Sequence, residues 1–100
     1  MSDREVAITI LNQLGGMRKV VAMTGARNFI TSLKGLRFRF PQPSRGPNEV
    51  EIRLDPTDTY TVTFNRIVGA KVVEVSKHTD IYNDMLKGLF ERETGLYLSF

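Results

Sequence analysis

Residues 36–40 read Leu36-Arg37-Phe38-Arg39-Phe40. Strict alternation of large apolar and charged side chains marks a strand with one greasy and one polar face, because successive Cβ atoms leave a strand on opposite sides. Two further stretches repeat the pattern. Val50, Ile52 and Leu54 alternate with Glu51 and Arg53, and Tyr60, Val62 and Phe64 alternate with Thr61, Thr63 and Asn65. Asp55-Pro56-Thr57-Asp58 between them is a turn, since Pro presets φ and Asp accepts from nearby amides. Pro41-Gln42-Pro43-Ser44-Arg45-Gly46-Pro47-Asn48 contains three prolines without an amide donor, so it reads as a loop. Gly69 punctuates before one more run, Lys71 to Lys77. Neighbouring strands joined by short connections form an antiparallel meander.

Outward from this meander the pattern changes period. Ser2 with Glu5 three residues later fits a capping box, and Val6, Ala7, Ile10, Leu11 and Leu14 follow at helical spacing. A helix over about residues 3 to 14, closed by Gly15-Gly16, is expected. Arg18 to Thr24, a short apolar run between Gly16 and Gly25, reads as a strand, and Gly25-Ala26-Arg27-Asn28 as a turn. At the other end Thr79 or Asp80 is placed to cap a second helix with an apolar stripe of Ile81, Tyr82, Met85, Leu86, Leu89 and Phe90, ended by Gly95. Leu96-Tyr97-Leu98-Ser99-Phe100 is left as a last short strand or an apolar tail. A sheet with one apolar face needs a cover, which two amphipathic helices supply. The expectation is one α+β domain over residues 1–100, in the order α-β-β-β-β-α. It has an antiparallel sheet of about four or five strands, with the N- and C-terminal helices packed on one face.

Composition narrows the function classes. The chain has 100 residues, 41% hydrophobic and 25% charged, with no Cys and no Trp, which is the make-up of an ordinary single globular domain. Without cysteine, a disulfide-stapled miniprotein, a Cys-ligated zinc module and a thiol enzyme are excluded. No apolar run approaches a membrane span and the start is acidic, so a soluble cytoplasmic protein without membrane contact is expected. The net charge of +3 is unevenly distributed: no acidic residue falls between Glu5 and Glu49, where Arg18, Lys19, Arg27, Lys34, Arg37, Arg39 and Arg45 all lie. Such polarity can orient a molecule toward an acidic partner, while basic side chains spread over the fold and solvated account for the same count.

The catalytic inventory is thin. His78 is the sole histidine, which removes His-rich metal centres, and none of Ser2, Ser32, Ser44, Ser76 and Ser99 sits in a nucleophile elbow. Asp58, Glu74 and Lys77 approach the acidic-acidic-Lys pattern of some nucleases. The lysine, however, is one position too far along the strand, so Glu74 and Lys77 are expected to leave on opposite faces. Asp80 and Asp84 fit solvated helix-start carboxylates. No enzyme activity and no cofactor is expected.

Binding features remain. The face opposite the helices is expected to carry Arg37, Arg39, Glu51, Arg53, Thr61, Thr63 and Asn65. Arginines with Thr and Asn on such a face suit phosphate contacts. The aromatics Phe38, Phe40, Tyr60 and Phe64 fall on the core parity, which argues against a base-stacking platform. Cross-strand Arg–Glu pairing on a solvated face explains the same residues. The Pro-rich loop presents Arg45 as a binding finger or is a plain connection. Met23-Thr24-Gly25-Ala26-Arg27-Asn28-Phe29 offers donors for an anion nest but lacks the Gly-Lys-Ser/Thr ending of a phosphate loop. A turn anchored by Phe29 is the other reading. The candidate binding residues are Arg18, Lys19, Arg27, Asn28, Arg37, Arg39, Arg45 and Arg53.

Gln13-Leu14-Gly15-Gly16 followed by Val20-Val21-Ala22-Met23-Thr24-Gly25-Ala26-Arg27-Asn28-Phe29 resembles the N-terminal signature of a family of small bacteriophage and mobile-element proteins of uncharacterised function. The resemblance continues through Leu36-Arg37-Phe38-Arg39-Phe40, Asp58-Thr59-Tyr60, Ile81-Tyr82-Asn83-Asp84-Met85-Leu86 and Thr94-Gly95-Leu96-Tyr97. It implies a phage or prophage setting in a bacterial cell and transfers no catalytic residue. The expected function is a small non-catalytic binding protein that docks on a host or phage macromolecule, a protein first. The alternative is a nucleic-acid binder using the basic 18–45 segment.

Overall fold

The structure, a computed structural model, describes residues 2–42 and 46–98. The elements are α1 (Asp3–Gln13), α2 (Met17–Thr24), β1 (Arg27–Ser32), β2 (Gly35–Arg39), β3 (Glu49–Leu54), β4 (Tyr60–Val68), β5 (Lys71–Ile81), a 3₁₀ turn (Asn83–Met85) and α3 (Leu86–Thr94). The strands form one antiparallel sheet in the order β1-β2-β3-β4-β5. The fold is α+β, as the residue patterns require.

The central alternation holds. Leu36, Phe38, Val50, Ile52, Val62 and Phe64 are all at most 2% exposed and line the inner face. In register, Leu36 faces Ile52, Ile52 faces Val62, Phe38 faces Val50 and Val50 faces Phe64. Against this face α1 sets Val6, Ala7 and Ile10, and α3 sets Leu86, Leu89 and Phe90. Phe90 is the hub of a ring cluster, with centroids 5.4 Å from Phe40, 5.9 Å from Phe38 and 6.4 Å from Phe64. Such ring pairs add to the area term, so the cluster fixes α3 over β2 and β4. Of the expected capping box one half forms: Ser2 Oγ accepts from the Glu5 amide at 3.2 Å, while Glu5 Oε1 accepts from the Ser2 hydroxyl at 3.1 Å rather than from its amide.

Three local expectations are corrected. Residues 17–24 are helical, not a strand: only Val20 and Thr24 are buried, a spacing of one helical turn, and the Gly25 amide closes the helix on Val21 O at 2.9 Å. Residues 25–28 are not a free turn, because Gly25 in the left-handed region (φ 71°) caps α2 and β1 begins at Arg27. Asn28, also left-handed at φ 57°, lies within the register shift between Arg27 and Ile30. Neither Thr79 nor Asp80 caps a helix. β5 runs on to Ile81, with Asp80 at φ 56° inside a second irregularity, and α3 starts only at Leu86. The tail is no strand as far as Leu98; it is pinned by Leu98 N donating to Glu91 Oε2 at 2.7 Å and by Leu96 N donating to Thr94 Oγ1 at 3.1 Å. Ser99 and Phe100 lie outside the described residues.

Candidate binding surface

Both layers of helix and core lie on one side, so the opposite face of the sheet is open. Strand register lays its side chains out in rows. One row runs Arg27, Arg39, Glu49, Asn65, Glu74, and the next runs Ile30, Arg37, Glu51, Thr63, Lys77. The face is therefore graded: arginine at the β1–β2 side, carboxylate on β3, mixed charge on β5.

The arginines are not equivalent. Arg37 is held by β3, its Nε lying 3.8 Å from Glu49 Oε2 and its Nη1 4.0 Å from Glu51 Oε2. These contacts are ionic, too long for hydrogen bonds, and the buried Nε has no hydrogen-bond partner among the described residues. Arg53 is spent on Asp55 Oδ1 at 3.3 Å, and Thr61 Oγ1 donates to the other oxygen of the same carboxylate at 2.5 Å. Glu49 faces Arg39 directly in register, yet its Oε1 accepts from Asn65 Nδ2 at 3.1 Å and its Oε2 turns to Arg37. Arg39 and its cross-strand neighbour Arg27 thus have no ion-pair partner among the described residues. Like charges directly opposite on paired strands repel, so this pair costs the fold rather than supporting it.

The remaining candidates scatter. Arg18 and Lys19 sit on α2, which joins the core through Val20 and so belongs to the helix side. Asn28 is exposed at the β1 irregularity. Arg45 lies outside the described residues, as do Pro43 and Ser44. In the Met23–Phe29 segment the Gly25 amide is used by the helix, and Phe29 packs on Phe38 with centroids 5.0 Å apart. Among the described residues of 18–45, the basic side chains do not share one surface.

The structure also joins residues that no sequence spacing connects. Arg66 Nη1 donates to Gly46 O at 3.0 Å and Gln42 O at 3.4 Å, holding the Pro-rich segment at both of these residues. Asn48 substitutes its amide for a strand residue, accepting from Ile67 N at 2.8 Å and donating to Ile67 O at 3.0 Å. Ser76, His78 and Glu93 meet between β5 and α3. His78 Nε2 lies 2.6 Å from Glu93 Oε1, and Ser76 Oγ donates to the same oxygen at 3.0 Å. A nucleophile relay needs hydroxyl and carboxylate on different ring nitrogens. Here both lie at Nε2, with the hydroxyl 3.3 Å away, and the serine proton points to the carboxylate; the trio clamps α3 to the sheet.

The nuclease-like pattern is corrected in one respect. Val75 is an extra residue between Glu74, paired with Asn65, and Ser76, paired with Phe64, so Glu74 and Lys77 emerge on the same face. Asp58 is not with them: it lines a cleft of ≈ 360 Å³ with Lys34, Leu54, Asp55 and Pro56 at the other end of β4. Among the described residues no group of three His, Asp or Glu is placed to hold a metal ion, and no helix is long and apolar enough to cross a membrane.

No protein-family model matches the chain, and the comparisons with curated proteins and with solved structures return no match.

Proposed function

We propose that the chain is a small non-catalytic binding protein of a phage or prophage, acting in the bacterial cytoplasm and docking on a host or phage protein. Its contact surface is the β1–β2 side of the open sheet face. The observation that carries the reading is the Arg27–Arg39 pair. The two residues are partners across β1 and β2 and have no ion-pair partner among the described residues, although Glu49 is directly adjacent in register. A pair that repels itself is relieved by an anionic partner, and arginine presents fork-shaped donors that match carboxylates. The exposed Ile30 beside them gives an apolar contact of the kind protein partners bury. The phage setting rests on the resemblance centred on Met23–Phe29 alone.

The test is affinity capture from phage-infected or lysogenic bacteria with the natural chain and with Arg27→Ala/Arg39→Ala. A protein held by the first and released by the second, with affinity down about tenfold or more, is the expected result. The double variant should fold at least as well, since it removes like-charge repulsion. Capture that ignores the substitution sinks the reading. Binding to DNA or RNA instead, with a log–log salt slope of about −1.8 for two phosphate contacts, would transfer the same arginines to the nucleic-acid alternative.

A further inference from the structure

β4 and β5 extend past the helices, and their far end is exposed. Val68, Val72, Val73 and Val75 are 60, 61, 54 and 48% exposed, and every residue from Val68 to Val75 lies at the surface. β5 is an edge strand of eleven residues with one side of its backbone unpaired along the sheet. Long apolar edges are templates for a further strand, and proteins that do not use them shorten or cover them. The opposite edge, β1, is short at six residues and interrupted after Arg27.

The charges on β5 say what the added strand is. Two copies of β5 placed antiparallel about the Val75–Ser76 bond set Glu74 of each opposite Lys77 of the other, twice over by symmetry. The same register sets Val73 against His78 of the second copy. In a regular strand such a register would put the facing residues on opposite sides of the sheet. The extra residue Val75 removes that conflict, because Glu74 and Lys77 share the outer face, opposite Asn65 and Thr63, while Val73 and His78 share the inner one. A register centred on Glu74 would instead oppose Glu74 to itself and Lys71 to Lys77. The irregularity therefore permits a self-complementary pairing in which opposite charges face each other.

We propose that β5 is a homodimer interface, in which a second copy of this chain adds its own β5 antiparallel about Val75–Ser76. The sheet then continues across both copies, and Val72, Val73 and Val75 of each are covered. The arrangement is isologous and closes at two chains. It leaves Arg27 and Arg39, at the opposite end of the sheet, free for another partner.

Sedimentation equilibrium on the full chain from about 1 µM to about 1 mM tests this, with charge reversal as the probe. The natural chain should pass from monomer to dimer and no further. Glu74→Lys and Lys77→Glu should each weaken the dimer about tenfold or more. Glu74→Lys/Lys77→Glu should restore it to within about threefold, because the pairs re-form with their signs exchanged. Recovery in the double variant cannot come from misfolding. A chain that stays monomeric throughout, growth beyond dimers, a dimer indifferent to the single reversals, or a double variant as weak as the singles would each overturn the proposal.

Discussion

The two ends of β4 live in different physical environments. From Tyr60 to Phe64 the strand lies under helices, with Tyr60, Val62 and Phe64 at most 3% exposed; from Ile67 to Val68 it leaves that cover, and Val68 is 60% exposed. One strand thus contributes core at one end and free surface at the other. The covered end is stabilised by area and ring contacts, which are non-directional and large. The far end relies on directed bonds, from Asn48 to Ile67 and from Arg66 to the loop carbonyls. The difference is that the β4–β5 extension is exposed and attached to the domain by a few polar anchors rather than by core area.

The strongest test of this contrast is Phe90→Ala. Its ring touches three others across two strands, so truncation leaves a cavity at the centre of the cluster. The expected loss is about 3–5 kcal/mol in urea denaturation, with the whole chain unfolding as one unit. If the cost is below ~1 kcal/mol, α3 is not fixed by this cluster and the contrast fails at its covered end.

Asn48→Ala addresses the other end. It removes two hydrogen bonds to Ile67 and should cost about 1–3 kcal/mol. Hydrogen exchange should accelerate first at amides of Ile67 to Val73, with Phe38 and Val62 protected until global unfolding. Uniform acceleration in all five strands would show that the extension is not a separate unit.

Tyr60 opens the covered end of the strand. Burial raises its pKa above 10.0, and its hydroxyl donates to Gln13 Oε1 at 2.7 Å. The neutral phenol is thus favoured in the fold. Its contribution is complete below the unfolded pKa of 10.0 and is lost as pH climbs through the higher folded value. Denaturation midpoints should therefore fall between about pH 9 and about pH 11, and fall less in Tyr60→Phe, which itself costs about 0.5–1.5 kcal/mol for the lost bond. An identical slope in both proteins would assign the alkaline loss to other groups.

How legible these regions were depends on which interactions made them. Strand parity over 36–40, 50–54 and 60–65 is local and binary, so a reader of the residues places Phe38 inside and Arg39 outside correctly. The open face was legible for the same reason. Residues 17–24 were misread because Val20-Val21-Ala22-Met23 is apolar at every position and fits either period; only burial of Val20 with Thr24 decides for a helix. Residues 29–35, given no element from the sequence, hold most of β1, disguised by the irregularity after Arg27. The side on which Glu74 and Lys77 emerge turns on one extra residue, Val75, which alternation alone cannot reveal. The anchors Arg66, Asn48 and Glu93 act over 15 to 24 residues of chain, and a polar side chain gives no sign of a distant carbonyl or ring nitrogen. At the arginines, the sequence reading named Arg27, Arg37, Arg39 and Arg53 together. The sorting into engaged and free pairs came from Glu49 turning toward Asn65 and Arg37.

The smallest effect is the most discriminating, because it uses one chemical change at both ends of the sheet. Valine and threonine are nearly isosteric, so exchanging them varies polarity at constant shape. At Val62, 1% exposed among the core residues, a hydroxyl is desolvated without an assigned acceptor and should cost about 1–3 kcal/mol. At Val73, 54% exposed on β5, the hydroxyl stays in water and threonine keeps the β-branch that suits a strand, so the change should lie within about 0.5 kcal/mol. The measurement belongs at low micromolar concentration, where chain–chain contact does not contribute. A Val73→Thr cost approaching that of Val62→Thr in the monomer would mean that the far end of β5 is already covered by its own chain, and the exposed valines would lose their standing as a contact surface.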